Sequence, residues 1–454
     1  MASIKIPGLI DPHVHLRAPG GEQKEDFRTG TQAALAGGFT TLLAMPNTNP
    51  PLVSLQAFNV AQNLSQKQSL CDVFLYAGAS EDHVSELAAL ALEAVGLKIY
   101  MNLTFGDLRL TSLAALTRVV AAWPRAKPIC FHAEGESIAA AIGLAASFKR
   151  SVHICHVSRR DEIELIARAK SSGLQVTCEV TPHHLFLTEA DARTLGPFGD
   201  MRPLLASQAD QDALWEEIAS GVVDCIGSDH APHARWEKLG YQSEAEWQLE
   251  RSQGEGKGRD CFANEARNDG NERSGGLRES GSSLPYGNKD TGGLRENGSG
   301  LPYENNEARE GTRESLSLPY GNKDAGGLRE SGSGLPYENE NKAKDRKPSP
   351  PGVPALESTL PLMLSAVADG RLSLERAIDL MYHAPRRIFN LPEQPETWVE
   401  IDPDARYTFP DHPLYTKCAW SPFEGRQMQG RVLKTVYKGR LAYNDGQIID
   451  LQAS

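Results

Sequence analysis

The chain has 454 residues, a formal net charge of −12 and a pI near 5.6. This acidic balance argues against a nucleic-acid or acidic-membrane partner, and no apolar stretch reaches the about 18 residues that cross a bilayer. The first residues show no basic segment followed by an apolar one, and the seven cysteines form no disulfide framework. We therefore expect a soluble, cytoplasmic protein whose thiols are reduced and buried.

Eight short strand patterns precede residue 234, with helical stretches rich in Ala and Leu between them. The predicted strands are 5–11, 40–45, 73–79, 96–101, 128–132, 152–157, 175–180 and 222–228. The helical stretches include 29–36, 86–94, 161–170 and 210–219. This alternation predicts an α/β fold, a closed (β/α)8 TIM-type barrel whose chemistry lies at the C-terminal ends of the strands. A doubly wound open sheet is the alternative, but it would not bring the first, fourth, fifth, sixth and eighth strands to one point.

Between residues 239 and 350 the composition changes to Gly, Ser, Asn and charged residues, and the segment repeats itself. The tripeptide Leu-Pro-Tyr begins at 284, 301, 318 and 335, a spacing of 17 residues. Gly-rich units with one Leu and one Tyr cannot form a stacked core of a known repeat type, so we predict a disordered low-complexity insertion. An array that binds a partner is the alternative. The insertion follows the last site loop and should leave the barrel from its active face.

Helical patterns return at 355–368 and at 373–382, the second capped by Ser373. Segments 432–438 and 439–443 predict a hairpin, or terminal strands, that could pair beside residues 4–6 and form a small β subdomain. The predicted division is the first part of the barrel at 1–238, the insertion at 239–350, the final barrel helices at 351–400 and a C-terminal β segment at 401–454.

Polar residues end the apolar runs of five predicted strands. His13 and His15 alternate on the first strand, so their side chains project together, as two ligands of one metal must. Four histidines and a carboxylate are too many ligands for one open catalytic zinc, but they suit two zinc ions about 3.5–4 Å apart. The predicted metal residues are His13, His15, Lys98, His132, His156 and Asp229.

Two cations this close need a bridging anion, and a free ammonium at Lys98 would be repelled. Carboxylation of the Lys98 amine by carbon dioxide would supply that anion, an inference from chemistry together with the resemblance below. A water shared by the two ions would be hydroxide near neutral pH and could attack an amide-type carbonyl. Taken singly, each histidine could instead be a packed core residue and Lys98 a solvated lysine, and His153 is interpreted as structural.

The motifs resemble those of dihydroorotase, a member of the amidohydrolase superfamily, and above all the dihydroorotase domain of the eukaryotic multifunctional pyrimidine-synthesis protein. The resemblance covers 5–238 and 351–450, and the insertion has no counterpart in it. The motifs are Ile-Asp-Pro-His-Val-His-Leu-Arg from Ile10, Met-Pro-Asn-Thr from Met45, Gly-Leu-Lys from Gly96, Phe-His-Ala-Glu from Phe131, His-Ile-Cys-His-Val from His153, Thr-Cys-Glu-Val-Thr-Pro-His-His from Thr177, Ser-Asp-His-Ala-Pro-His from Ser228 and Trp-Ser-Pro-Phe-Glu-Gly from Trp420.

The resemblance implies a role for each matching residue. One zinc would be held by His13, His15 and Asp229, the other by His132 and His156, with carboxylated Lys98 bridging them. Asp229 would also shuttle a proton as general acid and base. Arg17, Asn47, Arg202 and His233 would bind the substrate, the first two through its carboxylate, and Thr104 and Phe105 would belong to a flexible loop. Cys155 and Glu179 match residues that hold a third zinc, with a buried thiol and a carboxylate beside the ligands as the alternative.

The family usually has Glu where this chain has Ala18, which could alter loop order but removes no ligand.

The resemblance also implies partners. No carbamoyl-phosphate synthetase or aspartate transcarbamoylase sequence is present, so the chain is either a stand-alone protein or one part of a longer one, and we expect the latter. A homodimer and neighbouring pyrimidine-pathway domains are the expected partners.

The resemblance predicts a zinc-dependent hydrolase that interconverts N-carbamoyl-L-aspartate and L-dihydroorotate in de novo pyrimidine synthesis. One alternative is another cyclic amidohydrolase, such as a dihydropyrimidinase, hydantoinase or allantoinase, but an arginine in the pocket favours a carboxylated ring. The other is an inactive dihydroorotase-like scaffold, but no predicted metal ligand is missing. If the insertion is merely disordered, deletion of 240–345 should leave turnover nearly unchanged.

Overall fold

The computed structural model describes residues 3–252 and 346–449. The chain divides into two compact units, Met1–Ala263 with Ala343–Ser454, and Asn264–Lys342. All described residues belong to the first unit, and most of the predicted low-complexity insertion (253–345) lies outside them. Within the described ranges, no helix is both long and apolar enough to cross a membrane.

Parallel strands occupy eight positions around a closed barrel. After β1 (Ile4–Pro7), which lies outside it, the barrel strands are β2 (Leu9–Val14), β3 (Phe39–Ala44), β4 (Asp72–Leu75), β5 (Ala77–Gly78), β6 (Leu97–Tyr100), β7 (Ile129–His132), β8 (Val152–Ile154), β9 (Val176–Val180) and β10 (Cys225–Ile226). Successive strands pair in parallel from β2 to β4 and from β5 to β10. β4 and β5 are the two halves of one strand, interrupted at Tyr76. A parallel bridge between Val14 and His230, with a hydrogen bond from Ser228 N to Asp11 Oδ1 (3.1 Å), closes the ring.

The predicted strands recover these positions but not all of their bounds. Every residue of β2 and β3 is buried, which is typical of parallel strands covered on both faces. The first predicted strand, 5–11, is wrong because it joins β1 and β2, which belong to different sheets. At the break, a Cβ on Gly8 would lie 2.3 Å from Thr40 Oγ1, so the backbone passes too close to its neighbour for any side chain. The last predicted strand, 222–228, is reduced to Cys225–Ile226.

Helices cover the outside of the barrel, and several begin at a side chain that accepts a backbone N–H. Asp26 accepts from Thr29 N (2.8 Å), Ser54 from Ala57 N (3.2 Å) and Ser207 from Asp210 N (3.2 Å). The helices up to the insertion are α1 (Phe27–Ala36), α2 (Leu55–Gln68), α3 (Leu87–Glu93), α4 (Leu113–Ala122), α5 (Glu136–Phe148), α6 (Arg160–Ser171), α7 (Pro182–Phe186), α8 (Glu189–Leu195), α9 (Gln208–Ser220), α10 (Arg235–Lys238) and α11 (Glu244–Ser252). Short 3-10 helices span Glu81–Glu86 and Gly196–Gly199.

After the insertion the chain returns to the barrel wall through α12 (Leu356–Ala368), α13 (Leu374–Ile378) and α14 (Ala384–Ile388). A π-helical turn, Asp379–His383, joins the last two, so the predicted helix 373–382 is two elements rather than one. The predicted cap is confirmed, because the Ser373 side chain accepts a hydrogen bond from Arg376 N (3.1 Å).

The terminal segments form a separate antiparallel sheet. Its strands follow the order β1, β11 (Trp398–Thr408), β12 (Gln427–Tyr437), β13 (Arg440–Asn444) and β14 (Gln447–Ile448). The N-terminal segment joins this sheet as expected, but it pairs with β11, through Ile4 opposite Ile401, and not with the predicted 432–443 hairpin. The sequence pattern did not predict β11. This strand pairs with the N-terminal β1 on one side and with the C-terminal β12 on the other.

The two described ends of the insertion meet in a structure that we call the neck (residues 239–252 and 346–350). Lys347 N donates to Gly240 O (3.0 Å), and Arg346 donates to both carboxylate oxygens of Glu250 (2.9 Å each). The Arg346 guanidinium also lies 4.0 Å from the Tyr241 ring centroid. Residues 239–252 thus contain a helix and contact residues 346 and 347, although the composition there already resembles that of the insertion. The proposed domain bounds stay a prediction.

Candidate active site

A small cavity opens where the barrel strands end. It is lined by ten of the predicted site residues, namely His13, His15, Arg17, Asn47, Thr104, Phe105, His132, His156, Arg202 and Asp229. The remaining four, Lys98, Cys155, Glu179 and His233, do not line it but are almost fully buried beside it. One end of the barrel thus gathers every residue that the sequence singled out, as the C-terminal end of such a barrel should.

Two histidines of the first strand converge on one carboxylate oxygen. Asp229 Oδ1 lies 3.3 Å from His13 Nε2 and 3.1 Å from His15 Nε2. The opposite ring nitrogens are occupied, because His13 Nδ1 donates to Glu179 and His15 Nδ1 donates to Asn47 Oδ1 (2.7 Å). Partners of this kind fix the tautomer of a ligating histidine. Both imidazoles therefore direct Nε2 at the same point, Asp229 Oδ1.

The charges of this group suit a bound cation. Burial raises the pKa of Asp229, but the charge of His13 and the hydrogen bond with His15 outweigh it and hold that pKa well below its usual range. Burial lowers the pKa of His15 to about 4, so its ring is neutral near pH 7. An ionised carboxylate thus faces neutral imidazole nitrogen, which is the protonation state that metal binding requires.

A second pair of histidines lies beside the first group. The His132 and His156 rings are 4.4 Å apart between centroids, and His156 is 5.3 Å from His13. Burial, followed by the charge of His132, holds the pKa of His156 well below its usual range. The buried Nδ1 of His156 has no hydrogen-bond partner among the described residues. In those residues, no Cys, His or carboxylate completes a tight three-ligand group with this pair.

Lys98 is wholly buried on β6 in the same region. Its Nζ donates to Cys155 Sγ (2.9 Å) and lies 5.3 Å from the Tyr100 ring centroid. Across residues 3–252 and 346–449, no carboxylate comes within ion-pair distance of this amine. A buried ammonium without a counter-ion is costly. Lys98 is therefore a buried amine without a carboxylate partner in the described part of the chain.

Cys155 and Glu179 lie with His13 in another compact group, whose ligand atoms are all within 4.8 Å of one another. Glu179 also accepts a hydrogen bond from His153 Nε2 (3.1 Å), and the second ring nitrogen of His153 contacts Thr177 Oγ1 (2.9 Å). His153 is therefore tied to the site through Glu179, a role that the interpretation of His153 as purely structural did not include.

The donor set of His13, His15 and Asp229 fits a divalent cation. Two imidazole Nε2 atoms lie within 3.3 Å of one carboxylate oxygen, so a proton or a cation must lie between them. A buried unpartnered imidazole nitrogen and an unpaired amine lie in the neighbouring group. Nitrogen and oxygen ligands of these kinds suit zinc.

Three pocket residues other than glycine have positive φ angles, a conformation that costs free energy and is concentrated at functional sites. Arg17 has φ 61°, His156 φ 38° and Asp229 φ 45°. Each follows a barrel strand, so the strained backbone turns the side chain back over the strand ends. No residue pattern predicts this strain, because none of the three residues is glycine.

The wall opposite the histidines is cationic. Arg17 Nε donates to Pro232 O (3.1 Å), and its guanidinium lies 3.1 Å from His233 Nε2. His233 Nε2 is also 3.0 Å from Pro351 O, and Lys24 Nζ is 3.4 Å from His233 Nδ1. The shorter acceptor contact favours a proton on Nε2, so that Nδ1 accepts from Lys24. Arg202 reaches the cavity from another loop, where it pairs with Asp200.

The loop of Thr104 and Phe105 lies over the cavity. Asn47 Nδ2 donates to Phe105 O (3.0 Å), while Asn47 Oδ1 accepts from His15. The Asn47 amide, predicted to hold a substrate carboxylate, therefore also joins a candidate metal ligand to the loop. The Asn47 amide therefore connects the position of this loop to the position of His15.

Sequence reasoning missed several residues of the pocket. Tyr100 lies two residues after Lys98 on β6, and the alternation of side chains along a strand could have revealed it. Ala231, Pro351 and Gly352 also line the cavity. The last two follow the insertion, and no pattern in the chain indicated which residues return to the barrel there.

Comparison with known proteins gives related sequences. A family model described as Dihydro-orotase-like matches residues 2–109. The multifunctional protein CAD of Squalus acanthias is 36% identical over 447 residues, covering 98% of this chain and 15% of that protein. The dihydroorotase of Elusimicrobium minutum (strain Pei191) is 36% identical over 262 residues, covering 51% of this chain and 61% of that enzyme. The chain thus spans less than two thirds of the length of either relative.

Two solved structures share the fold. L-Hydantoinase (dihydropyrimidinase) from Arthrobacter aurescens superposes with a TM-score of 0.71 at 21% identity, covering 99% of this chain and 87% of that one. The inactive dihydroorotase-like domain of the Chaetomium thermophilum CAD-like multifunctional protein gives 0.64 at 22% identity, covering 99% and 98%. At these identities the likeness shows the fold alone, and the predicted α/β barrel is confirmed.

Proposed function

We propose, from the similarity of the chain to dihydroorotase-like proteins, that it is a zinc-dependent dihydroorotase. It would interconvert N-carbamoyl-L-aspartate and L-dihydroorotate in de novo pyrimidine synthesis. One observation carries the proposal: the nitrogens of His13 and His15 converge on Asp229 within a cavity that also holds a second histidine pair and an arginine wall.

Two zinc ions would be held by the predicted residues. His13, His15 and Asp229 would bind one, and His132 and His156 the other. When bound, zinc supplies Lewis acidity toward the ring carbonyl and makes hydroxide available near neutral pH. Cys155 and Glu179, together with His13, would hold a third zinc.

Lys98 would join the two sites as a carboxylated lysine. Its burial without a carboxylate partner in the described chain supports this proposal, because carboxylation replaces an unpaired cation by an anion. Zinc uptake by metal-free protein should then be slower in buffer stripped of carbon dioxide and should recover with bicarbonate. Lys98→Met should bind less zinc and show no bicarbonate effect. Equal uptake by the wild type in both buffers would refute the carboxylation.

The cationic wall would select a carboxylated ring. Arg17 would contact the substrate carboxylate, because a guanidinium matches its two oxygens, with Asn47, Arg202 and His233 beside it. Burial lowers the pKa of Arg17 only to about 10, so it stays charged near pH 7. A dihydropyrimidinase or hydantoinase ring lacks this carboxylate, which argues against that alternative.

Asp229 would move the proton. In hydrolysis, water adds to the ring amide carbonyl, the bond from that carbon to the ring nitrogen breaks, and the nitrogen gains a proton. Asp229 would take the proton from the attacking water and deliver it to the leaving nitrogen. In the reverse reaction the same carboxylate would take the proton from the ureido nitrogen.

The main rival is an inactive scaffold, and the similarity to an inactive dihydroorotase-like domain gives it weight. All six predicted metal residues are present here, which favours activity. The expected homodimer and neighbouring pathway domains belong to this proposal, and sedimentation of the purified chain would test the dimer.

The decisive experiment measures L-dihydroorotate hydrolysis and its reversal on purified chain, together with zinc content. Dihydrouracil, hydantoin and allantoin serve as competing substrates. We expect dihydroorotate to be preferred, with about two or more zinc ions per chain. Faster turnover of an uncarboxylated ring would identify another cyclic amidohydrolase. Bound zinc without turnover of any of these rings would favour the scaffold.

A further inference from the structure

Lys238 is buried in α10, where its Nζ lies 5.9 Å from the centroid of the Trp420 ring and, among the described residues, hydrogen-bonds to backbone acceptors. Its side-chain nitrogen donates to three carbonyl oxygens, those of Asp200 (2.9 Å), Pro350 (2.8 Å) and Gly352 (3.2 Å). An ammonium has three N–H donors, so each carbonyl takes one. Throughout the described residues, no carboxylate lies within ion-pair distance of this nitrogen. Three carbonyl acceptors suit the protonated amine, although burial lowers the pKa of Lys238 to about 7.

The three carbonyls belong to two segments that are far apart in the chain and form one wall of the cavity. Gly352 N donates to Asp200 O (3.0 Å), so the two segments also bond directly. Arg202, Pro351 and Gly352 line the cavity, whereas Lys238 does not. Any effect of Lys238 on a bound ring must therefore pass through the wall.

The wall tolerates little displacement. Gly352 has φ 134°, a conformation that residues other than glycine rarely adopt, and a Cβ there would lie 2.4 Å from Ala231 O. Ala231 follows Asp229 by two residues, so the wall is pressed against the loop that carries a candidate catalytic residue. Pro351 O also accepts from His233 Nε2 (3.0 Å), which connects the wall to the cationic side.

We propose that Lys238 is a positioning residue for substrate selection: it holds Arg202 and the Pro351–Gly352 backbone where a carboxylated ring needs them. The inference deepens the proposed dihydroorotase function and rests on it. Without the Lys238 ammonium, the carbonyls of Asp200, Pro350 and Gly352 each lose a donor, and the bond from Gly352 N to Asp200 O alone joins the two segments at this point, so they can shift apart. Recognition of the carboxylate should then weaken more than recognition of the rest of the ring.

A purely structural role predicts something different, and Arg150 provides the matched control. Arg150 is also a buried cation that donates only to backbone carbonyls, namely those of Val120, Trp123, Pro124 and Lys127. It lies two residues before the start of β8 and therefore at the end of the barrel away from the cavity. Arg150→Met removes a comparable set of bonds without touching the wall.

The experiment compares zinc-loaded wild type, Lys238→Met and Arg150→Met. Zinc content, thermal midpoint and kcat and KM are measured with L-dihydroorotate and with dihydrouracil, which lacks the carboxylate. In Lys238→Met we expect KM for dihydroorotate to rise about tenfold and the preference for dihydroorotate to fall by at least about threefold, with zinc content unchanged. Arg150→Met should lower the thermal midpoint and leave both KM and the preference within about twofold of wild type.

An unchanged preference in Lys238→Met, or equal losses on both rings, would overturn the inference. Lys238→Gln, which retains two N–H donors, gives the same comparison if Lys238→Met does not fold. If the wild type does not hydrolyse dihydroorotate, the proposed function itself fails. The inference is then judged by calorimetric binding of orotate against uracil, and an equal ratio in the wild type and the Lys238 variant would overturn it.

Discussion

The ammonium of Lys24 lies 4.0 Å from the centroid of the Phe105 ring. The same ring is 5.2 Å from the Arg17 guanidinium and makes an edge contact with His233 at 5.0 Å. Phe105 is thus held over the cavity by the cationic wall itself. The loop is joined to the side of the pocket that would bind the substrate carboxylate.

Replacing Lys24 should loosen this loop. A cation–π contact in a buried setting contributes about 1 kcal/mol, so Lys24→Met should raise KM for dihydroorotate about fivefold, while Lys24→Arg should stay near the wild type. Burial, with Arg17 beside it, lowers the pKa of Lys24 to about 8. The wild-type KM should therefore increase above about pH 8 as Lys24 loses its proton, and Lys24→Arg should not show this increase. Identical pH profiles for the two proteins would contradict this assignment.

Asp229→Asn should nearly abolish turnover. The amide keeps the shape of the carboxylate but cannot act as a base. We therefore expect kcat, normalised to the zinc content, to fall by about a thousandfold. Asp224→Asn is the matched control, because Asp224 contacts Lys170 and the Cys178 backbone instead of the cavity. Steady-state rates normalised to zinc content make the comparison. Turnover by Asp229→Asn similar to that of the control would remove Asp229 from the proton path.

Glu357 should make stability depend on pH. Burial raises the pKa of this carboxyl from 4.5 to about 8, although Tyr415 N and Thr416 N donate to it. Between those values the folded chain keeps a proton that the unfolded chain releases. The free energy of unfolding should therefore decrease as pH rises, by up to about 1.4 kcal/mol per pH unit from this residue alone.

Urea unfolding of the wild type and Glu357→Gln at several pH values between about 5 and 8 isolates this contribution. The difference in unfolding free energy, wild type minus variant, should decrease across that range and level off above it. Parallel curves would show that Glu357 ionises in the folded chain much as it does in the unfolded one.

Two deletions should distinguish the contribution of the neck to activity from that of residues 253–345. Replacing 253–345 by a short Gly-Ser linker keeps the contacts of Arg346 with Glu250 and Tyr241, so dihydroorotate turnover should stay within about twofold of the full chain. Deletion of 240–345 removes Glu250 and Tyr241, which contact Arg346, together with the Gly240 carbonyl that accepts from Lys347 N, and leaves the Leu239 carbonyl as a partner of Arg346. Because Pro351 and Gly352 follow closely, that chain should show a raised KM. Equal loss of activity in both chains would mean that the insertion itself is needed.

Local patterns in the sequence predict where the barrel strands end, and the residue types there predict the metal group. His13 and His15 could be paired because strand alternation is a local property. Asp229 and His132 could be placed because each follows an apolar run. Such local patterns cannot predict positions that depend on contacts between segments distant in the sequence. The interruption of one strand at Tyr76 and the transfer of residues 4–7 to the terminal sheet are of this kind.

The residues around the ligands were harder to predict for the same reason. Lys238 gave no signal because its partners are backbone carbonyls, which every residue has. Glu25 is likewise buried, where it accepts from Thr416 Oγ1 (2.6 Å) and contacts His230 Nε2 (3.2 Å). Such a carboxylate in a polar stretch of sequence looks like an ordinary surface residue.

The closure between Val14 and His230 determines when the metal group can exist. His15 and Asp229 are 214 positions apart, and His15 N donates to His230 O (2.7 Å) at the seam between the first and last barrel strands. A folding chain must therefore complete the ring before one ion can contact both ligands. Contacts this distant form late because loop-closure entropy opposes them. Because zinc would bind only the closed ring, it would stabilise the pairing of the first and last barrel strands and slow their separation.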